Sequence, residues 1–156
     1  MTKLHILSAI CLLIIVCSCS LDVKFSKYVP VSSDGWNLED TIEFSTDTLR
    51  QDGRYGFTCG VRTRRAFPYQ DLVLMVEREV YRDSLIVLHK REKVTCPIVT
   101  QEGSFTGEGI ATKLHETDLK DFIMQTGDSV VVKIYHQMTR QDLPGIVDVG
   151  MKMEKR

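Results

Sequence analysis

The side chains that could do chemistry are few: His89, His115 and His136, the cysteines Cys59 and Cys96, and the carboxylate groups Glu77/Glu79 and Glu116/Asp118/Asp121. A metal site needs several such ligands at short characteristic spacings. Each histidine stands alone, with no HxH, HExxH or CxxC pattern, so neither a metal nor a cofactor is assigned. His89 and His136 fall inside strand patterns and are expected to be structural or surface residues. Carboxylates that alternate along a strand mark a solvated face more often than a glycosidase pair. The run from Gly103 to Gly109 is glycine-rich but lacks the P-loop lysine and the dinucleotide spacing, so it is a turn. There is no GxSxG elbow. No catalytic residue is singled out, and an enzyme is not expected.

The N-terminus carries a different kind of chemistry. Lys3 supplies a positive charge, and Leu4–Val16 is apolar apart from His5 and Ser8. That run is too short to span a bilayer, which takes roughly 20 apolar residues, but it has the proportions of a secretory signal. Val16-Cys17-Ser18-Cys19 follows, an aliphatic residue and two small ones before a cysteine. This is the pattern in which a sulfur receives diacylglycerol before cleavage. Cys19 suits that role better than Cys17, which would put Val16 at the cleavage position. The expected organisation is a lipoprotein signal peptide over 1–18, a lipidated tether over 19–35 and a folded domain over 36–156. Diacylglycerol plus a further acyl chain would hold the protein on a membrane stably, where one chain is marginal. The alternative is an ordinary secreted protein with a chance cysteine.

Export to an oxidising compartment changes the reading of Cys59 and Cys96. They become a candidate disulfide, with two small buried apolar groups as the alternative. Two further features could form a surface for partners. Arg62-Thr63-Arg64-Arg65-Ala66-Phe67-Pro68-Tyr69 sets Arg62, Arg64 and Arg65 beside Phe67 and Tyr69, residue types enriched at interface hot spots. The competing reading has the aromatics capping the core and the arginines merely solvated. Trp36, the only tryptophan, is either a core plug or a platform for stacking a sugar.

These residues must be positioned by strands. Period-two alternation recurs at Thr41–Phe44, Tyr55–Arg64, Leu72–Tyr81, Ser84–Val94, Asp128–Met138 and Gly145–Met153, the signal of half-buried strands. Turn residues separate them at Asp52-Gly53, Thr126-Gly127-Asp128 and Leu143-Pro144-Gly145. Lys113–Met124 is the one stretch with a ragged helical stripe, through Leu114, Leu119, Phe122 and Ile123. The fold class is all-β, a single antiparallel β-sandwich behind the tether. With 43% hydrophobic and 26% charged residues the chain is not disordered, and a formal net charge of −1 gives no electrostatic case for nucleic acid.

Taken together, several of these motifs resemble the gliding-motility lipoprotein H family (GldH) of Bacteroidetes. They are the lipobox, Trp36 ahead of a short strand ending in Phe44, and Arg62 leading to Phe67-Pro68-Tyr69-Gln70-Asp71-Leu72. The most specific is His136-Gln137-Met138-Thr139-Arg140 followed by Leu143-Pro144-Gly145-Ile146-Val147-Asp148-Val149-Gly150. Phe105 departs from the pattern, where a tryptophan is expected. The resemblance implies a non-enzymatic cell-envelope lipoprotein, an accessory or scaffold subunit in gliding motility and its associated secretion machinery. Its partners would be other envelope lipoproteins or secretion and motility proteins. With only Asp22 acidic just beyond Cys19, the expected location is the outer membrane, facing the periplasm. The alternative is a carbohydrate-binding sandwich that captures polysaccharide on Trp36, Tyr69 and Phe105.

Overall fold

Side chains that alternate between a buried and a solvated position build this protein almost throughout. In β8, Ser129–His136, every second residue is buried, and β5, Asp71–Arg82, repeats the pattern from Asp71 to Tyr81. The computed structural model describes residues 22–156; the signal segment 1–18 and Cys19 lie outside them. The other strands are β1 (Asp22–Pro30), β2 (Trp36–Asn37), β3 (Ile42–Ser45), β4 (Gly53–Thr63), β6 (Leu85–Pro97), β7 (Lys113–Met124), β9 (Asp142–Leu143) and β10 (Ile146–Lys155).

Two four-stranded sheets, β1-β10-β4-β7 and β3-β8-β5-β6, enclose one apolar core, and the short pair β2-β9 stands apart. Every pairing is antiparallel. The chain changes sheets at nearly every connection, and the resulting strand orders are those of a jelly roll. The expected antiparallel sandwich is therefore present, with this topology.

Two local expectations differ from the structure. Lys113–Met124 is a strand, not a helix. Its register against β4 shifts between the pairs Tyr55↔Phe122 and Phe57↔Leu119. That bulge puts Leu119 and Phe122 on the buried face at a spacing of three, which imitates helical periodicity. Within the segment assigned to a tether, residues 22–30 form an edge strand of the first sheet. Tyr28 lies flat across Gly150 and Gly60, where an added Cβ would come within 2.4 Å and 2.5 Å of its ring and hydroxyl. Glycine on two adjacent strands is thus covered by one aromatic ring. Arg62 stacks over the same ring at 4.5 Å and is paired with Asp148 at 2.6 Å.

A charged side chain lies among the rings of the core. Arg78 lies fully buried on the inward face of β5, its guanidinium 4.8 Å from the Phe57 ring centroid and 4.2 Å from that of Phe122. It donates to the Lys120 carbonyl at 2.7 Å and pairs with Glu92, while Nε has no partner. Removing one member of such a pair strands the other, so Arg78→Ala is expected to cost about 3–5 kcal/mol. Urea unfolding checks this; a loss under about 1 kcal/mol, the range of surface pairs, would show the buried pair to be dispensable.

Candidate functional site

The strand registers give the sandwich two unlike ends. One carries the start of β1, the end of β10, the β3–β4 and β7–β8 connections and the β5–β6 turn. The other carries the β4–β5 loop, the long β6–β7 connection and the β2-β9 pair.

At this second end the motifs singled out in the sequence converge. Trp36 is 1% exposed, and its indole N–H donates to the Asp40 carbonyl at 3.0 Å. It pairs with Leu143 through β2-β9 and meets the His136 ring edge-on at 5.3 Å. Gly145, with φ at 83°, turns the chain beneath the β4–β5 loop, and its carbonyl accepts from the Arg64 N–H at 2.7 Å. A Cβ there would stand 2.5 Å from the Phe67 nitrogen, so only glycine fits. The 64–69 loop and the Leu143-Pro144-Gly145 turn are two halves of one packed corner.

The five candidate interface residues separate. Phe67 is 5% exposed and belongs to the core, meeting half-buried Tyr69 edge-on at 5.8 Å. Arg62 is engaged with Tyr28 and Asp148 on the outer face of the first sheet. Arg64 and Arg65 are exposed on the loop. The stacking platform for sugar does not form: Trp36 is a core plug, and Phe105 is half-buried against the core.

The two buried histidines are held by different elements. In His136, Nδ1 accepts from the Met138 N–H at 3.3 Å, which leaves Nε2–H to donate to the Trp36 carbonyl at 3.0 Å. His115 sits between Thr63 Oγ1 and Thr106 Oγ1, each 3.0 Å from a ring nitrogen. Gly107 leaves room for that ring, since a Cβ would come 2.7 Å from its Cε1, so the glycine-rich turn packs a histidine. Burial lowers the pKa of both rings, and Lys113 lowers that of His115 further. Both are neutral structural groups, while His89 is exposed.

Cys59 and Cys96 stand as free, buried thiols, one in each sheet. Burial pushes both thiols up, that of Cys59 most, so neither is an activated nucleophile. Thr117 donates its hydroxyl to the Cys96 sulfur at 3.4 Å. The surface carboxylates are spent on neighbours: Glu77 pairs with Arg91 at 3.0 Å, Asp118 accepts from Thr58 at 2.8 Å and Asp121 from Arg156 at 3.1 Å. Among the described residues, no group of three His, Cys, Asp or Glu is placed to hold a metal ion.

The family model for the GldH lipoprotein matches residues 23–153. No curated protein matches the chain. Among solved structures, the chain is similar to Eiger TNF from S. frugiperda, with 11% identity, 85% of this chain and 92% of that chain covered, and a TM-score of 0.37. It is also similar to murine APRIL, with 16% identity, 82% of this chain and 98% of that chain covered, and a TM-score of 0.33.

The neutral histidines make stability depend on pH. Unfolded, each imidazole protonates near about pH 6.5; folded, burial lowers that value. Their contribution is complete above the unfolded value and is lost as pH falls through the folded one. The urea midpoint should therefore drop between about pH 7 and 5, and His115→Gln with His136→Gln should flatten that slope. A wild-type midpoint constant across that range would contradict it.

Proposed function

The chain belongs to the GldH lipoprotein family, and from that premise we propose that it is a lipid-anchored envelope protein that acts by docking. In this reading it is an accessory or scaffold subunit of gliding motility and the associated secretion machinery, and it catalyses no reaction. Cys19 carries the lipid, in the outer membrane facing the periplasm. Other envelope lipoproteins or motility and secretion proteins are the partners.

One observation supports docking above all: the family-like motifs meet at one end of the jelly roll, in contacts that position backbone rather than reacting groups. Gly145 seats the 64–69 loop, Phe67 roots it in the core, and Arg64 and Arg65 are left exposed on a rigid base. Arginine on a preorganised loop is a favoured interface element, because little ordering entropy is lost on binding. Arg64 and Arg65, with Tyr69 at their margin, form the proposed docking surface. Arg62 and Phe67 support it from beneath.

Crosslinking in cells, followed by mass spectrometry of the tagged protein's partners, tests this reading. Arg64→Glu with Arg65→Glu should reduce partner recovery at least tenfold, about 1.4 kcal/mol or more, while the urea midpoint stays unchanged. Full recovery of partners and full motility would remove this loop as the interface. In the same cells, Cys19→Ser should move the protein from the membrane to the soluble fraction; continued fractionation with membranes would remove the lipid anchor.

A further inference from the structure

Large exposed aliphatic residues are unevenly distributed over the described residues. Leu38 and Ile110 stand singly at the docking end, whereas Leu85, Ile86, Val87 and Ile123, at 70%, 53%, 48% and 77% exposure, all lie at the opposite end. Leu85, Ile86 and Val87 are consecutive on β6, an edge strand that leaves one side of their backbone unpaired. Such a strip on a soluble domain marks a contact surface.

The strip is held stiffly. Asp83 and Ser84 make the β5–β6 turn with φ at 49° and 67°, both left-handed. Arg82, just before them, grips the buried Asp128 carboxylate with Nε at 2.7 Å and Nη2 at 3.0 Å. Asp128 also accepts from the Gln125 N–H at 2.8 Å, so the β5–β6 turn is locked to the β7–β8 turn.

The occupant follows from where the described chain starts. Asp22 opens β1 at this same end, three residues after Cys19, a reach of at most about 11 Å. An acylated Cys19 would therefore hold this end, and no other, against the lipid. β1 and β6 lie on opposite flanks, since β1 borders the first sheet away from β7 and β7 is the edge that adjoins β6. Three strand spacings separate those flanks, about 15 Å. We propose that the strip Leu85-Ile86-Val87 is a second membrane contact, which rests on the phospholipid surface and, with the Cys19 anchor, fixes the domain's orientation. This rests on the reading of Cys19 as the anchor.

The neighbouring chemistry suits a shallow contact. Lys90, exposed on the same strand, stands about 10 Å from Val87, the depth at which a cation meets lipid headgroups. Asp83 on the turn opposes deep insertion, so the strip lies by its flank along the headgroup boundary.

The test uses the lipidated full chain in vesicles of phosphatidylethanolamine and phosphatidylglycerol. A polarity-sensitive fluorophore is attached at Val87→Cys or, as a control, at Arg65→Cys; Cys59 and Cys96 are buried and stay unlabelled. The label at 87 should shift to the blue and be quenched severalfold by doxyl lipids, while the label at 65 does not change. A vesicle-bound protein whose label at 87 stays aqueous overturns the second contact and leaves the anchor standing. Disulfide crosslinking between two copies through position 87 overturns it in favour of strand pairing with a second copy. An intact mass without diacylglycerol on the N-terminal peptide overturns the anchor and this proposal together.

Discussion

Arg78 carries a positive charge into the middle of an apolar sandwich, and the groups it finds there come from three other strands. Phe57 belongs to β4, Phe122 and the Lys120 carbonyl to β7, and Glu92 to β6. The first two strands lie in one sheet; Arg78 and Glu92 lie in the other. Each ring contributes about 0.5–2 kcal/mol through its negative face. Dehydrating a guanidinium costs several kcal/mol, so the net gain is small. What the pair enforces is register. A slip of β5 by one residue would turn Arg78 to solvent and put Glu77 or Glu79 among the rings. The charge therefore specifies how the sheets face each other on the flank where β6 and β7 meet.

A jelly roll assembled this way has polarity, and its connections divide the work. Two turns at the β1 end, β5–β6 and β7–β8, are short and tied together through Arg82 and Asp128. The connections at the other end are longer and are stabilised by packing on one another. Trp36 is central there: its carbonyl accepts from His136 Nε2, its ring meets the His136 ring edge-on, and its indole N–H donates to the Asp40 carbonyl in the turn after β2. With the loop end stiff, a partner would meet a formed surface.

The sequence shows the strands plainly because alternation survives wherever one face is buried. Six expected strands correspond to β3, β4, β5, β6, β8 and β10 with small shifts at their ends. β7 was hidden by its bulge, which breaks the period of two at one point. β1 was hidden because its apolar residues fall at Val23, Phe25, Tyr28 and Val29, which breaks the period of two. Arg78 had a visible signal: it shares the parity of Leu72, Leu74, Val76 and Val80, and an arginine among them is a buried arginine or a broken strand. The meeting of Gly145 with Phe67 had none. It depends on strands distant in sequence, β4 and β10, pairing in a particular register, and no single segment records that.

A protein whose two buried histidines and the carboxylates of Glu77, Asp118 and Asp121 are engaged in structure can act through where it holds its surfaces. β10 alone, with 10 residues, spans about 33 Å, so the end proposed for docking stands about that far from the end where β1 begins. One flexible attachment would let that height and direction vary, and a partner would meet the loop at a reduced effective concentration. The proposed second contact on the opposite flank would remove the rocking motion and leave chiefly rotation about the membrane normal. The stiffness of the core then matters for function as well as for stability. A sheet pair free to slide would move the β6 strip relative to β1 and to the loop of Arg64 and Arg65, because β1 and β4 share one sheet and β6 belongs to the other; the register that Arg78 specifies opposes that slide.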